Sequence, residues 1–529
     1  MSSGRASGDP YTRPMTGAEP EFPSRRVTTG AYLVLFLVAC AAAFYLIVPI
    51  RAGQVGFDAA SSVVYFDRIL QGRHLEAFIT ATPKPLLTVV YGIVYNLTGD
   101  WRPISWLVIA MFGLSAVLAA ILARRFGGIP AAAFAGVAVI GSQSLVEDVA
   151  LSYAVVWAFA GCLLAGLAVS STRPRYAVAG VALGIATLAR FEVVLVLGLS
   201  AAVLAGAWLW GRYRHVAGPP RQAWLVLVGL VAVPIQFAHD WLLTGNALYA
   251  EHVPTVASAG LPLMSPAATV VFVAQDLLRM GPLVALALLG AFVLVRRRAW
   301  GVLIGLAAMG PGVAAFLVFL AVRRIYISGR YLDPIDLAVI VTAAIGIGAI
   351  AIPQVTAATQ RIRGPLTRLV LLAVAAGLVG VLFSTPFAPA SKTVLLTIRT
   401  NLDIQRDALE SLPALRKGLA AIPGVTDWPG PTDGRLPALL VPVLLRPQFA
   451  VDLGLPVSQV GGDVATRLKT DGTYPIAGEI VFHDQVAEPA AAYDFLEVSN
   501  PTTIGRIVVT PLLADPARGL WVDRIDPAP

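Results

Sequence analysis

Apolar and polar positions fall in long alternating blocks along this chain. The first apolar block, 31–50, is long enough to cross a bilayer core of ~30 Å. Others follow at about 103–123, 129–146, 150–170, 175–189, 191–210, 222–243, 267–295, 301–321, 332–352 and 366–387. The stretch 175–210 is too long for one crossing at ~1.5 Å per residue, and Arg190 and Glu192 divide it. The pattern predicts a polytopic α-helical membrane protein with about eleven transmembrane helices. No short apolar core with a small-residue cleavage site precedes the first block, so it reads as a retained anchor.

The polar blocks orient the spans. Alternate loops carry Arg124 and Arg125, then Arg173 and Arg175, then Arg212, Arg214 and Arg221, then Arg296, Arg297 and Arg298, and last Arg361, Arg363 and Arg368. By the positive-inside rule these loops and the N-terminal arginines face the cytoplasm. The loop 51–101, the turn at 142–150, Arg190–Glu192, the loops at 239–266 and 322–331 and everything after Pro386 are then external.

The loop 51–101 follows the first span. A helix is expected over 57–71, with Asp58, Ser61, Ser62, Tyr65 and Arg68 on one face and Ala59, Ala60, Val63, Phe66 and Leu70 on the other. This is the pattern of an interfacial helix whose polar side faces a cavity or water. Asp67 falls opposite Asp58, so the two carboxylates do not form a pair. A second apolar helix, 86–97, is too short to span with ease and lies beside the first.

The ends of the chain differ from its middle. Residues 1–29 are rich in Gly, Pro, Ser and Arg and read as a disordered cytoplasmic tail; 30–388 form the membrane domain. Residues 389–529 predict a small extracytoplasmic α/β or α+β domain. It has a helix over 403–421 with Leu402, Leu409, Leu412, Leu415 and Leu419 on its stripe, then strands in LPALLVPVLL, GEIVFHD, YDFLEV and RIVVTPLL.

Composition removes several function classes. The 529 residues are 57% hydrophobic and 13% charged, against ~25% charged for soluble domains, so the lipid bilayer is a partner. The net charge of +8 is spread over span ends rather than gathered in a patch, which argues against nucleic acid. Cys40 and Cys162 both lie in apolar runs, which leaves no disulfide framework. Neither GxxxxGK[ST] nor a strand-borne GxGxxG is present, so a nucleotide-sugar donor is unsupported. Ionisable residues avoid the span centres and collect at the external ends, which favours an interfacial reaction site over a transport path.

Five stretches, in order, resemble the GT-C superfamily of integral membrane glycosyltransferases. They are GFDAASSVVYFDRILQGR in the first loop, ARRFGG, LARFE, TGNALYAEHVP and GRYLDP. The resemblance covers 30–390 and is to the polyprenyl-phosphate-sugar-dependent, actinobacterial type. It implies an inverting transfer of a hexosyl or pentosyl group from a polyprenyl-phosphate donor to a cell-envelope glycan, lipid or protein on the outer face of the plasma membrane. It also makes Asp58 the base that activates the acceptor hydroxyl. The alternative reading of Asp58 is an N-cap of its helix. Relatives often carry an acidic pair here, whereas Asp58 precedes Ala59 and Ala60. A divalent metal as cofactor is left open, and no metal ligands are assigned.

Cations for the donor phosphate are sought on the external side. Arg330 in GRYL comes first, with Lys84 between two prolines next, and Arg323, Arg324 and Arg190 as further candidates. Pairing of these arginines with Asp333, Asp336, Glu192, Glu147 or Asp148 is the structural alternative. Tyr65, His252 and Tyr331 are candidates for donor or acceptor contacts. His239, Asp240, Glu251 and His252 have no zinc-site spacing. His483 and Asp484 read as structural. Two other function classes compete: a non-enzymatic transporter or scaffold, and an oligosaccharide ligase with a lipid-pyrophosphate donor. Sugar, acceptor and oligomeric state are not legible.

Overall fold

The computed structural model describes residues 25–46, 55–75, 79, 81–215, 218–257, 263–361, 403–404, 406–422, 438–442, 445–462, 479–484, 499–504, 507–518 and 520–527. The chain is mostly helical, with a small C-terminal sheet. Helix α1 (Arg25–Leu46) precedes two short helices, α2 (Phe57–Leu70) and α3 (Pro85–Thr98). The bundle continues through α4 (Arg102–Ile140), α5 (Gln143–Ala150), α6 (Val155–Val169), α7 (Tyr176–Ala189) and α8 (Val194–Arg214). A 3-10 stretch, Arg221–Val231, runs into α9 (Ala232–Thr244), followed by α10 (Tyr249–Ala257), α11 (Pro266–Met280) and α12 (Pro282–Arg296). The last described helices of the membrane part are α13 (Trp300–Ala307), α14 (Val313–Val322) and α15 (Asp333–Arg361).

Among the described residues, five helical stretches are long and apolar enough to cross a membrane: Arg102–Ile140, Phe191–Arg214, Arg221–Thr244, Trp300–Val322 and Gly329–Ala351. The chain is a multi-pass membrane protein. Shorter apolar helices cover Thr29–Phe44, Pro85–Thr98, Val155–Val169 and Tyr176–Ala189. The run expected at 366–387 lies outside the described residues.

Glycine and proline shape the spans. The expected runs 103–123 and 129–146 form one helix with a kink at Gly128, whose φ of 68° only glycine adopts cheaply; Pro130 follows. The block 267–295, expected as one crossing, breaks at Gly281, where α11 and α12 meet at 91°. Pro282 starts a fresh helix there because it cannot donate to the previous turn. Helices α12 and α15 approach so closely that a Cβ on Gly290 would stand 1.8 Å from Thr342 O, and one on Gly346 2.1 Å from Leu286 O. Small residues at such crossings let helices pack in lipid, where no hydrophobic force drives them together.

Among the described residues, the C-terminal part has α16 (406–420), α17 (Arg446–Leu453) and a mixed six-stranded sheet in the order β2-β1-β3-β6-β5-β4. The strands are β1 (Leu439–Val441), β2 (Val460–Gly462), β3 (Glu479–Asp484), β4 (Thr502–Ile504), β5 (Ile507–Asp515) and β6 (Leu520–Pro527). Ala408, Leu415 and Leu419 of α16 pack on Leu439, Ile480, Phe482 and Val522 of the sheet. Among the described residues of LPALLVPVLL, Leu439–Val441 form β1, and α17 follows at Arg446, while β6 went unread in the sequence. YDFLEV lies outside the described residues.

This domain shares its core with the first-loop helices. Val64, Tyr65, Ile79 and Ala81 belong to the same buried cluster as Leu439, Phe449 and Phe482. Asp452 of α17 accepts hydrogen bonds from Trp101 Nε1 at 2.9 Å and Tyr95 Oη at 3.4 Å. The domain is therefore seated directly on α2 and α3.

Candidate active site

Helix α2 begins at a tight seat. Gly56 is its N-cap, and a Cβ there would fall 2.1 Å from Leu151 O, so the backbone itself rests on the turn between α5 and α6. Asp58 is the second helical residue, not the cap, and makes no side-chain capping bond. Its carboxylate sits in the first turn, where the helix dipole favours negative charge.

Two cations from distant segments reach the same oxygen. Lys84 Nζ is 2.9 Å from Asp58 Oδ2, and Arg330 Nη1 is 3.6 Å from it. Lys84 is the N-cap of α3, with Pro85 opening the helix, and it also donates to Thr82 O at 3.3 Å. Gln236 Nε2 of α9 reaches Pro83 O at 3.4 Å and Asp240 Oδ1 at 2.8 Å. Arg330 lies in the short 3-10 turn Gly329–Leu332, its guanidinium 4.1 Å from the centre of the Tyr153 ring.

Burial alone would push the Asp58 carboxyl up, but Lys84 first and Arg330 next outweigh it and hold it below the usual carboxylate range. The side chains of Asp58 and Lys84 are 13% and 17% exposed, whereas that of Arg330 is 44% exposed. Arg330 is thus the part of the triad that an incoming group meets first.

Arg190 stands beside this triad at the break between α7 and α8, in extended conformation. It pairs with Glu192 at 3.2 Å and approaches Asp333 Oδ2 at 3.9 Å, and its guanidinium lies 5.8 Å from the Tyr331 ring centre. The charged pair that splits 175–210 does divide two helices. The partner of Arg190 on α15 is Asp333, while Arg330 turns to Asp58.

Other candidates lie elsewhere. Arg323 and Arg324 are exposed; Arg323 stacks near Phe319 and lies 3.9 Å from Glu251, so neither joins the triad. His252 is exposed on α10. Tyr65 does not face water: it is buried and donates to Ala81 O at 2.6 Å. Ser61 and Ser62 are also buried and donate back to Phe57 O and Asp58 O, so the supposed polar face of α2 is an interior one. The C-terminal domain and the neighbouring helices cover it. Asp67 does face away, accepting from Asn96 Nδ2 at 2.9 Å.

Asp240 is buried and saturated: Oδ1 accepts from Gln236, and Oδ2 from the Ala250 amide at 2.9 Å. It fastens the GNALY loop rather than offering a ligand. Among the described residues no three His, Cys, Asp or Glu side chains are grouped to hold a metal. The sequence reading missed Tyr153 and Gln236. Tyr153 follows the predicted external turn 142–150 directly, and an aromatic at that place was the available signal.

An apolar cleft opens within the bundle, lined among others by Leu122, Cys162, Leu183, Val196, Met309 and Val341. A smaller pocket shares Cys162, Val196 and Met309 with it and ends at Arg190, Glu192 and Pro334. The apolar lining thus extends, residue by residue, to the charged pair Arg190 and Glu192.

No family model and no curated protein matches the chain. Among solved structures, it is similar to ArnT from Cupriavidus metallidurans bound to undecaprenyl phosphate, at 14% identity over 94% of this chain and 98% of that one, with a TM-score of 0.48. The apo form of the same protein gives 15% identity over the same shares and a TM-score of 0.49. The apo oligosaccharyltransferase of Archaeoglobus fulgidus gives 11% identity over 81% of this chain and 64% of that one, with a TM-score of 0.47. The likeness is distant, and the functional reading rests on the chain's own residues.

Proposed function

We propose that this protein is a membrane glycosyltransferase that moves a sugar from a polyprenyl-phosphate donor to a cell-envelope acceptor on the outer face, with inversion. The carrying observation is the convergence of Lys84 and Arg330 on one oxygen of Asp58, from segments separated by 26 and 272 residues in sequence. The family resemblance points to Asp58 as base and to the GRYL step of Arg330, while Lys84 comes in through its place between two prolines beside the first-loop helices.

The geometry gives each group a task. Asp58, ionised, accepts the proton of the acceptor hydroxyl as that oxygen attacks the anomeric carbon. The bond from that carbon to the phosphate oxygen breaks on the opposite side, and the polyprenyl phosphate leaves with the bonding electrons. Arg330 and Lys84 stabilise the charge that develops on the phosphate. As they turn toward the phosphate they relax their hold on Asp58, which strengthens it as a base at the moment it is needed. Arg190 adds positive charge beside the triad, and the apolar cleft of the bundle takes the polyprenyl tail. The C-terminal domain lies over the acceptor side.

Asp58→Asn tests this. With purified protein and synthetic polyprenyl-phosphate sugars, the variant loses turnover while remaining inserted and folded. Equal turnover by wild type and variant, or transfer only from a polyprenyl-pyrophosphate sugar, overturns the reading. A transporter or scaffold would show no transfer from either donor.

A further inference from the structure

Two carboxyl groups next to the site have no task in this mechanism. Asp148, on α5, and Asp333, at the start of α15, are 1% and 2% exposed. Their side chains are in hydrogen-bond contact with each other. Yet neither Asp148 Oδ2 nor Asp333 Oδ2 finds an N–H or O–H donor, and Arg190 Nη1 at 3.9 Å is too far to be one. Two ionised carboxylates repel and cannot hydrogen-bond; one must carry a proton. A single proton held within the pair supplies the donor that this contact needs.

The surroundings set the charge balance of this pair. Arg190 faces it from the end of α7, Arg330 from the 3-10 turn, Glu147 from α5, Tyr153 from the turn before α6 and Asp336 from the next turn of α15. Asp336 in turn contacts Asp276 of α11, beside Arg279. The compensation for the pair's negative charge therefore comes from Arg190, which lines the small inner pocket, and from Arg330, which reaches Asp58.

We propose that the Asp148–Asp333 pair is a proton-linked part of the donor site: an anionic phosphate lipid bound at Arg190 and Arg330 is accompanied by uptake of one proton into the pair. The inference rests on the phosphate-binding reading above. A bound anion claims the guanidinium charge that had compensated the pair, and it brings negative charge of its own. Both effects favour the neutral diacid. The coupling is reciprocal, so protonation of the pair also tightens anion binding. The pocket lined by Arg190 also touches Pro334, the residue after Asp333, so the pair lies next to the cation that would meet the anion.

Calorimetric titration of the full chain in detergent with dihexadecyl phosphate tests this, because that diester keeps a single charge through the neutral range. Run at one pH in two buffers of different ionisation enthalpy, the titration should report uptake of about one proton, with affinity rising up to ~10-fold per unit fall in pH. Asp148→Asn, with Asp333→Asn as second variant, should bind with no buffer dependence and with affinity flat in pH. Wild-type binding without proton uptake overturns the proposal and leaves the phosphate reading standing, as does uptake that persists in both variants. No binding of the diester at all overturns both.

Discussion

Lys84 Nζ stands 2.9 Å from Asp58 Oδ2, and the two residues open neighbouring helices, Asp58 in the first turn of α2 and Lys84 as the cap of α3. Their spacing is set by packing between those helices: a Cβ on Gly92 of α3 would fall 2.1 Å from the Phe66 side chain of α2. The pair is thus held by a helix–helix contact and not only by its own charge.

Lys84→Met should move the acid limb of the kcat/KM profile to higher pH. Burial raises the Asp58 carboxyl, and Lys84 is the largest of the influences that bring it back down. Without the ammonium, the base is protonated at a pH where the wild type is still ionised, so activity is lost from the acid side first. In stability, a carboxyl held low by folding contributes above its unfolded pKa and loses that contribution as pH falls through its folded one. A variant profile that coincides with the wild type's would remove Lys84 from this role.

Arg330→Ala should raise KM for the lipid-linked donor by about 10- to 100-fold, the range for one charge-assisted hydrogen bond. Arg323→Ala, on an exposed side chain facing Glu251, should leave it within about 2-fold. Steady-state kinetics with one donor at several concentrations decide between the two arginines. Equal effects would mean that the phosphate sits nearer the 323–324 corner.

The sequence made the membrane domain legible because the bilayer imposes one strong rule, a long apolar run for each crossing. Asp58, Lys84 and Arg330 could be singled out for a second reason, since basic residues are disfavoured on the external side and the few that lie there stand out. The burial of Tyr65, Ser61 and Ser62 was not. Helical phase gives the direction of a side chain but not what lies beyond it, and here a domain more than 300 residues away in sequence closes over that face. The break at Gly281 escaped notice because an apolar block looks the same whether it is straight or bent. Strand β6 was hidden by its charges: Asp523 and Arg524 interrupt an otherwise regular LWVDRID.

Asp452→Ala should loosen the seat of the C-terminal domain. The change leaves the Trp101 indole N–H and the Tyr95 hydroxyl without their acceptor, at a cost of about 1–3 kcal/mol. Amides of α17 and of β1 should exchange faster, while the helices of the bundle keep their protection. Asp452→Asn retains an acceptor oxygen and should recover part of the loss. Uniform exchange rates in all three proteins would show that the domain is held by its apolar contact with α2 alone.

Asp523→Asn should stabilise the C-terminal domain at neutral pH. Asp523 lies on β6 opposite Val481 and Pro511, is fully buried, and neither of its oxygens meets a donor. Burial pushes its carboxyl up to about 8, so the folded domain keeps it protonated while the unfolded chain releases the proton near ~4. Between those values the unfolded state binds fewer protons, and stability should fall with rising pH by up to ~1.4 kcal/mol per unit. Below ~4 both states are protonated and the residue contributes no pH dependence. The amide keeps the shape of the neutral acid and cannot ionise, which removes the slope. Chemical denaturation of the full chain, followed at Trp521 of the same strand, measures it at several pH values across this window. Parallel curves for the wild type and the variant would mean that the carboxyl finds a compensating partner when charged.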